Sequence, residues 1–363
     1  MTWPEIWEGN SFKAIGIRVI LSPASWLYAL GWSCYRLAYD FGLKKSAKPH
    51  KNIICVGNLV AGGSGKTPIT IYIARLLAEM GDQVVISASG YGGPHSEAAE
   101  LAPKGELDPK IWGDEPALLR DELPEVPLIV GRRRVLAAEI CAQNFPDAVL
   151  LMDDGFQHLP LAKDISILVE PDLRNKQCLP AGPYREPQSS LKRADLVLSP
   201  KSGFKVLHGP IHPLANNRIA ERVTLEGSKP DSLGSSEADP KFDRGRAAPQ
   251  LGATIPSVDM SQESPMVTEV SVLCAIGNPN GFVAAVREAG YTIKVVRRLD
   301  DHDPLDAPDL FAGLTEPIVV TAKDAVKLRG RPEDIRVARR ETKIEPEEEF
   351  KTWLQARLHR TPK

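Results

Sequence analysis

Residues 52–68 read Asn-Ile-Ile-Cys-Val-Gly-Asn-Leu-Val-Ala-Gly-Gly-Ser-Gly-Lys-Thr-Pro, and this stretch decides the fold. Asn52–Val56 is a short apolar, β-branched run ending at Gly57, the pattern of a buried strand. From Pro68 to Met80 the apolar residues Ile69, Ile73, Leu76, Leu77 and Met80 recur at a helical period, and Gly81 ends the run as a C′ glycine does. Between strand and helix lie Gly62, Gly63, Ser64, Gly65, Lys66 and Thr67. Strand, glycine-rich turn, Gly-Lys-Thr and helix in that order are what a phosphate-binding loop requires. Glycines let backbone N–H groups turn inward around a phosphate, and the helix N-terminus adds its dipole. In an ATP site Lys66 would reach the β- and γ-phosphates and Thr67 would offer its hydroxyl to Mg²⁺. The strict pattern has glycine where Val60 stands; Gly62 and Gly63 supply that freedom instead.

Working outward, strands are expected at 83–87, 128–130, 148–152, 165–169 and 196–199, with helices at 114–122 and 135–143. Such alternation means a mostly parallel sheet covered on both faces. Residues 226–265 are rich in Ser, Pro, Gly and Asp and poor in large apolar residues, the composition of a linker or long loop. Further βα units follow from Glu269, and a charged helix is expected near 346–358. The reading is α/β: a P-loop NTPase-like parallel-sheet domain (49–225), a flexible linker or insertion (226–266), and a second, smaller α/β domain (267–363). An N-terminal segment (1–48) precedes them.

That segment has its own chemistry. Residues 14–43 carry no charge between Arg18 and Arg36, a gap just short of a full membrane span, and Pro23 and Gly31 dilute it. Trp26, Tyr28, Trp32, Tyr35 and Tyr39 crowd it, and Lys44 and Lys45 close it. Indole and phenol rings favour the lipid headgroup level, and lysines favour anionic lipids. The segment reads as a helix lying on or partly inserted in a membrane. The alternative is a helix packed on the protein's own core, broken at Pro23. The chain of 363 residues has a net charge of −2, so no basic excess points to nucleic acid. Its five cysteines are scattered without a CxxC, as expected for reduced thiols in a cytosolic compartment and not for a disulfide frame or zinc site.

Three other places carry chemistry. Strand 148–152 runs into Asp153-Asp154-Gly155-Phe156-Gln157-His158; a carboxylate at the end of a buried strand beside a phosphate loop is where a Walker B aspartate holds Mg²⁺. Gly113-Asp114-Glu115-Pro116 opens a helix, where Asp114 is either a helix-capping acid or a general base for an attacking hydroxyl. His302 sits among Asp300, Asp301 and Asp303 and reads as a polar turn or as part of a proton relay. The run Arg132-Arg133-Arg134 is a solvated basic stretch or a grip for an anionic group.

Together, GNLVAGGSGKTP, GYGG (90–93), GDEP (113–116), DDGFQH (153–158), LPAGPYREP (179–187), LKRAD (191–195), AIGNP (275–279), the His302 loop and KDAVKL (323–328) resemble the tetraacyldisaccharide 4′-kinase family of lipid A biosynthesis. The resemblance implies transfer of the γ-phosphoryl of Mg-ATP to the 4′-hydroxyl of an acylated glucosamine disaccharide 1-phosphate. It implies a peripheral or monotopic protein at the cytoplasmic face of the inner membrane; no protein partner is indicated. Carried over, the nucleotide roles fall on Gly62, Gly63, Ser64, Gly65, Lys66 and Thr67. The base role falls on Asp114 with His302 as partner, and the Mg²⁺ roles on Thr67, Asp153, Asp154 and Glu186. Substrate contacts fall on Arg134, Gln157 and Arg185. Because Asp114 and His302 belong to different domains, cleft closure on ATP is expected to join them. The family's usual arginine before Gly-Tyr is Ser89 here, and its usual Thr-Glu-Lys-Asp is Thr321-Ala322-Lys323-Asp324. The alternatives are a regulatory P-loop ATPase or GTPase and a soluble sugar or metabolite kinase. A GTPase is disfavoured because no NKxD-type guanine-reading motif is present.

Overall fold

The computed structural model describes residues 3–63, 65–211, 215–216 and 269–358. The expectations for Ser64 and for the linker at 226–266 lie outside the described residues. The chain opens with helices α1 (Trp3–Glu8) and α2 (Phe12–Asp40). It then alternates as expected: β1 (Ile53–Asn58), α3 (Lys66–Glu79), β2 (Val84–Ala88), β3 (Glu100–Leu101), α4 (Pro109–Trp112), α5 (Asp114–Glu122), β4 (Leu128–Val130), α6 (Arg134–Asn144), β5 (Val149–Asp153), β6 (Ile165–Val169) and β7 (Leu196–Leu198). These strands form one sheet in the order β3-β4-β2-β5-β1-β6-β7, parallel except for the β3 edge. Strands β1, β2, β5 and β6 are buried along their whole length, which is why they read as continuous apolar runs. From β1 the chain crosses to β2 on one side, while β6 lies on the other. The crevice at the carboxyl ends of β1 and β5 is therefore a topological switch point, where doubly wound sheets bind ligands.

Beyond β7 come β8 (Lys205–Ile211), β9 (Ala215–Asn216), β10 (Glu269–Cys274), α7 (Pro279–Glu288), β11 (Thr292–Arg298), β12 (Ile318–Thr321), α8 (Ala322–Ala325), β13 (Ile335–Ala338), β14 (Arg340–Glu345) and α9 (Glu347–Leu358). The second sheet has the order β11-β10-β12-β13-β9, and β8 pairs with β14 as an antiparallel ribbon. Besides the β8–β14 pairing, two features cross the boundaries drawn from composition. The edge strand β9 comes from the segment before residue 226. The final helix returns to the first sheet, where Phe350, Leu354 and Leu358 join its core and Arg357 pairs with Asp195 at 2.7 Å. Composition could not show either, because both depend on long-range packing.

The two sheets are locked across α5. At its C-terminal half Arg329 pairs with Asp121, and Arg339 pairs with Glu122, which also binds Arg75; Arg329 further pairs with Glu106, ahead of α4.

Helix α2 is continuous through Pro23 for 29 residues, about 44 Å, so the break that went with the core-packed alternative does not occur. Proline removes one intrahelical donor, and Ser22 Oγ donating to Arg18 O and Ser25 Oγ to Leu21 O reinforce the neighbouring carbonyls. The helix has two faces. One is tied to the body of the protein by polar contacts: Arg18 donates to the carbonyls of Ile6, Trp7 and Gly9, Ser25 Oγ accepts from Ala181 N, and Tyr28 Oη donates to Arg185 O. The other face exposes Phe12, Ile15, Val19, Trp26, Leu30 and Leu37, a stripe at helical spacing. By length and composition α2 is apolar enough to cross a membrane.

Candidate active site

The loop after β1 turns through Gly62 (φ 96°) and Gly65 (φ 74°) before α3 begins at Lys66. The left-handed conformation at both positions suits glycine, and it lets the chain curl back on its own amides. In the register of β1 against β5, Val56 lies opposite Asp153, so the aspartate pair emerges beside the loop. Thr67 Oγ1 donates to Asp153 Oδ2 (3.1 Å) and Thr70 Oγ1 to Asp153 Oδ1 (2.9 Å). Asp154 lies in the left-handed region (φ 52°), which swings its carboxylate away from that of Asp153. Its Oδ2 faces Lys66 Nζ at 3.6 Å and Arg185 Nη1 at 3.3 Å.

The two carboxylates differ electrostatically. Burial pushes Asp153 up to about 6, with Glu115 and Asp154 adding to the rise and Lys66 opposing it. Burial also raises Asp154, but Lys66, Arg185 and Arg134 outweigh it and hold it below the ordinary carboxylate range. Asp154 Oδ1 is buried without a hydrogen-bond partner. A hydroxyl and two carboxylates are hard oxygen donors, and an orphaned carboxylate oxygen beside them fits a Mg²⁺ held by one or two carboxylates plus phosphates. Among the described residues no group of three or more His, Cys, Asp or Glu forms a cage that would hold a metal without substrate.

Opposite this centre stands α5. Gly113 (φ 91°) precedes it, and a Cβ there would lie 2.9 Å from Tyr91 O, so only glycine lets the GYGG loop pack against the helix start. Asp114 follows at the first helical position. Its Oδ2 lies 3.3 Å from His302 Nδ1 and 3.4 Å from Lys327 Nζ, both from the second sheet's domain. Burial raises the Asp114 pKa, but the hydrogen bond from His302 and the charges of Lys327 and Lys323 win, and the carboxyl is held below its usual range. His302 also has a left-handed backbone (φ 68°), and the Tyr91 ring lies 5.6 Å from its imidazole.

These parts form one crevice. A Cβ on Gly277, in the loop after β10, would lie 2.7 Å from Gly63 N and 3.3 Å from Asp301 Oδ2. The phosphate loop, the AIGNP loop and the His302 loop therefore touch.

Three expected site residues stand differently. Arg134 is not positioned to grip a substrate phosphate: only 3% exposed, it donates to Ser87 Oγ (2.9 Å), Asp153 O (2.6 Å) and Asp154 O (3.5 Å). Its guanidinium braces the end of β5 from inside. Arg134→Met should leave those acceptors without a donor and destabilise the fold by about 2–4 kcal/mol, read from urea unfolding. Glu186, expected with the metal ligands, is buried and paired instead with Arg193 at 2.5 Å. That pair ties the GPYREP loop to LKRAD, while Glu186 Oε1 is buried without a hydrogen-bond partner. Gln157 Nε2 donates to Asn58 O at 2.7 Å, joining the aspartate loop to the end of β1. Sequence reasoning missed Glu115, whose charge acts on Asp153, and the two lysines of KDAVKL. The signal for the lysines was their spacing, one helical turn apart, beside a histidine loop.

A phosphate loop, a carboxylate pair at its mouth and a half-buried acid across the crevice define a P-loop kinase. The comparisons narrow the class. Residues 17–359 match the family model for tetraacyldisaccharide-1-P 4′-kinase (LpxK), and the chain belongs to that family. A tetraacyldisaccharide 4′-kinase of Aromatoleum aromaticum is 32% identical over 334 residues, covering 89% of this chain and 88% of the relative. One of Shewanella halifaxensis is 31% identical over 326 residues, covering 88% and 87%. The crystal structure of LpxK from Aquifex aeolicus in complex with ATP superposes with a TM-score of 0.70 at 26% identity, covering 95% of this chain and all of that one.

Proposed function

We propose that this chain transfers the γ-phosphoryl group of ATP to the 4′-hydroxyl of a tetraacyldisaccharide 1-phosphate, the step of lipid A synthesis that its relatives' names describe. The observation that carries the reading is Asp114 across the crevice from the phosphate loop, its Oδ2 3.3 Å from His302 Nδ1. Asp114 takes the proton of the attacking hydroxyl, and His302 aims its carboxylate. Amides of the Gly62–Gly65 loop and Lys66 receive the negative charge that gathers on the transferred group. Thr67, Asp153 and Asp154 would hold Mg²⁺, which when bound neutralises phosphate charge. Arg185, 31% exposed beside Asp154, is placed to meet an anionic group of nucleotide or acceptor. The acylated disaccharide phosphate is offered from a membrane surface, where the apolar stripe of α2 meets the lipid. Because the opposite face of α2 is bound along its length to the protein, the helix is read as lying at the membrane and not spanning it.

The test is incubation of purified protein with Mg-[γ-³²P]ATP and the acylated disaccharide 1-phosphate, followed by lipid separation. Label should appear in a bisphosphorylated lipid, with little phosphate released when acceptor is omitted. Acceptor-independent hydrolysis with no labelled lipid would favour a regulatory ATPase. A variant in which Trp26, Leu30 and Leu37 become Ser should partition out of anionic vesicles in flotation by about tenfold or more, yet keep its ATP affinity. Unchanged flotation would remove α2 as the membrane contact.

A further inference from the structure

We infer that α2 has a second role beside lipid contact: Ser25 and Tyr28 are positioning residues for the nucleotide, holding the strip of chain that walls the front of the phosphate loop. The inference rests on that loop binding ATP, as in the function proposed above, and not on the identity of the acceptor.

The chain leaving β1 does not run free into its glycines. Residues 59–61 pair with residues 183–185: Arg185 N donates to Leu59 O (2.7 Å), Ala61 N donates to Pro183 O (2.8 Å), and Val60 and Tyr184 form an antiparallel bridge. A bridged position accommodates a β-branched residue, so Val60, 3% exposed, can stand where the strict pattern has glycine. Left-handed backbone is needed only further on, at Gly62 and Gly65. The strip has its own anchor in Tyr184, fully buried, whose Oη donates to Glu170 Oε1 (2.6 Å) while Lys176 pairs with the same oxygen (3.2 Å).

Helix α2 holds the same strip. Tyr28 Oη donates to Arg185 O (3.0 Å), the buried Ser25 Oγ accepts from Ala181 N (2.8 Å), and Ser22 Oγ accepts from Gln177 Nε2 (3.0 Å). Arg185 is thereby fixed at three points: its amide on the phosphate loop, its carbonyl on α2, and its guanidinium 3.3 Å from Asp154 Oδ2. Tyr28 differs in this from its neighbours in the aromatic segment. Trp26 is 69% exposed and free to meet lipid, whereas Tyr28 packs against the core on that side of the first sheet. A binding loop whose edge is already fixed binds phosphates without the added cost of ordering that edge. Take away the Tyr28 hydroxyl and the Arg185 carbonyl loses its donor, the wall of the loop loosens, and that ordering must accompany ATP binding.

The experiment measures three properties of single variants of the full chain: Mg-ATP affinity by calorimetry, flotation with vesicles of phosphatidylethanolamine and phosphatidylglycerol, and the urea midpoint. Tyr28→Phe removes one hydroxyl and keeps the ring. Its ATP affinity should fall about three- to tenfold, the size of one hydrogen bond, with flotation within about twofold. Trp26→Ser, on the exposed face, should do the reverse: flotation falls about threefold or more and ATP affinity stays within about twofold. Ser25→Ala leaves the Ala181 amide without its acceptor and should follow Tyr28→Phe; if it does not fold, Tyr28→Phe decides alone. A Tyr28→Phe variant with a lower urea midpoint and unchanged ATP affinity shows a bond that only docks the helix, and overturns the inference. So does one that loses flotation and keeps ATP affinity, because its ring then serves lipid. ATP binding by the unsubstituted chain without a labelled lipid product would sink the proposed reaction and leave this inference standing. No ATP binding by the unsubstituted chain would sink both.

Discussion

Asp114→Asn should lower kcat by about 10²–10⁴-fold, the range removed with a general base, and leave ATP affinity within about a factor of two. By transition-state arithmetic this is roughly 3–5 kcal/mol. The fold should tolerate the change. Asparagine keeps the shape and the start of α5, and the lost charge–dipole attraction at a helix N-terminus is about 0.3–1 kcal/mol. Lys327 would still face Asp324 at 3.3 Å, so no cation is left buried alone. The kinetic loss thus exceeds the structural one by several kcal/mol, and the two separate cleanly. Single-turnover phosphoryl transfer alongside nucleotide titration makes the measurement. Loss of ATP binding in step with turnover would show that Asp114 supports the site instead of reacting in it.

Lys66→Met should behave differently, lowering kcat by about 10²–10³-fold and weakening ATP binding as well. Lys66 is the strongest of the cations that hold the Asp154 pKa down, and it also restrains Asp153. Without it two adjoining carboxylates face the crevice with Arg185 as the nearest remaining cation on Asp154. Repulsion of the nucleotide then adds to the lost contact with the phosphates. Lys66→Arg is expected to recover little, because a planar guanidinium does not fit where the side chain is only 11% exposed. Nucleotide affinity by calorimetry and single-turnover rates check both effects. Full ATP affinity in Lys66→Met would place the phosphates elsewhere.

Most of the first sheet was legible because its residues obey local rules. Asn52–Val56, Ile165–Val169 and the Pro68–Met80 periodicity state their structure within a few positions, and Gly-Lys-Thr has few meanings between a strand and a helix. Asp114 and His302 were ambiguous for a physical reason. A capping acid and a catalytic acid look alike until a partner from another domain arrives at 3.3 Å. Arg134 and Glu186 show the reverse: their charges suggested exposed, ligand-facing groups, yet Arg134 is spent on internal acceptors and Glu186 Oε2 pairs with Arg193 through contacts that no local pattern encodes. The continuous α2 likewise runs through its internal proline, docked along one face to the rest of the chain.

The bonds from Ser25 to Ala181 and from Tyr28 to Arg185 couple α2 directly to the strip of chain that borders the aspartates. If the exposed face of α2 meets lipid as proposed, the depth at which the helix seats would set the height of the reaction centre, and with it how far a sugar must project to be reached.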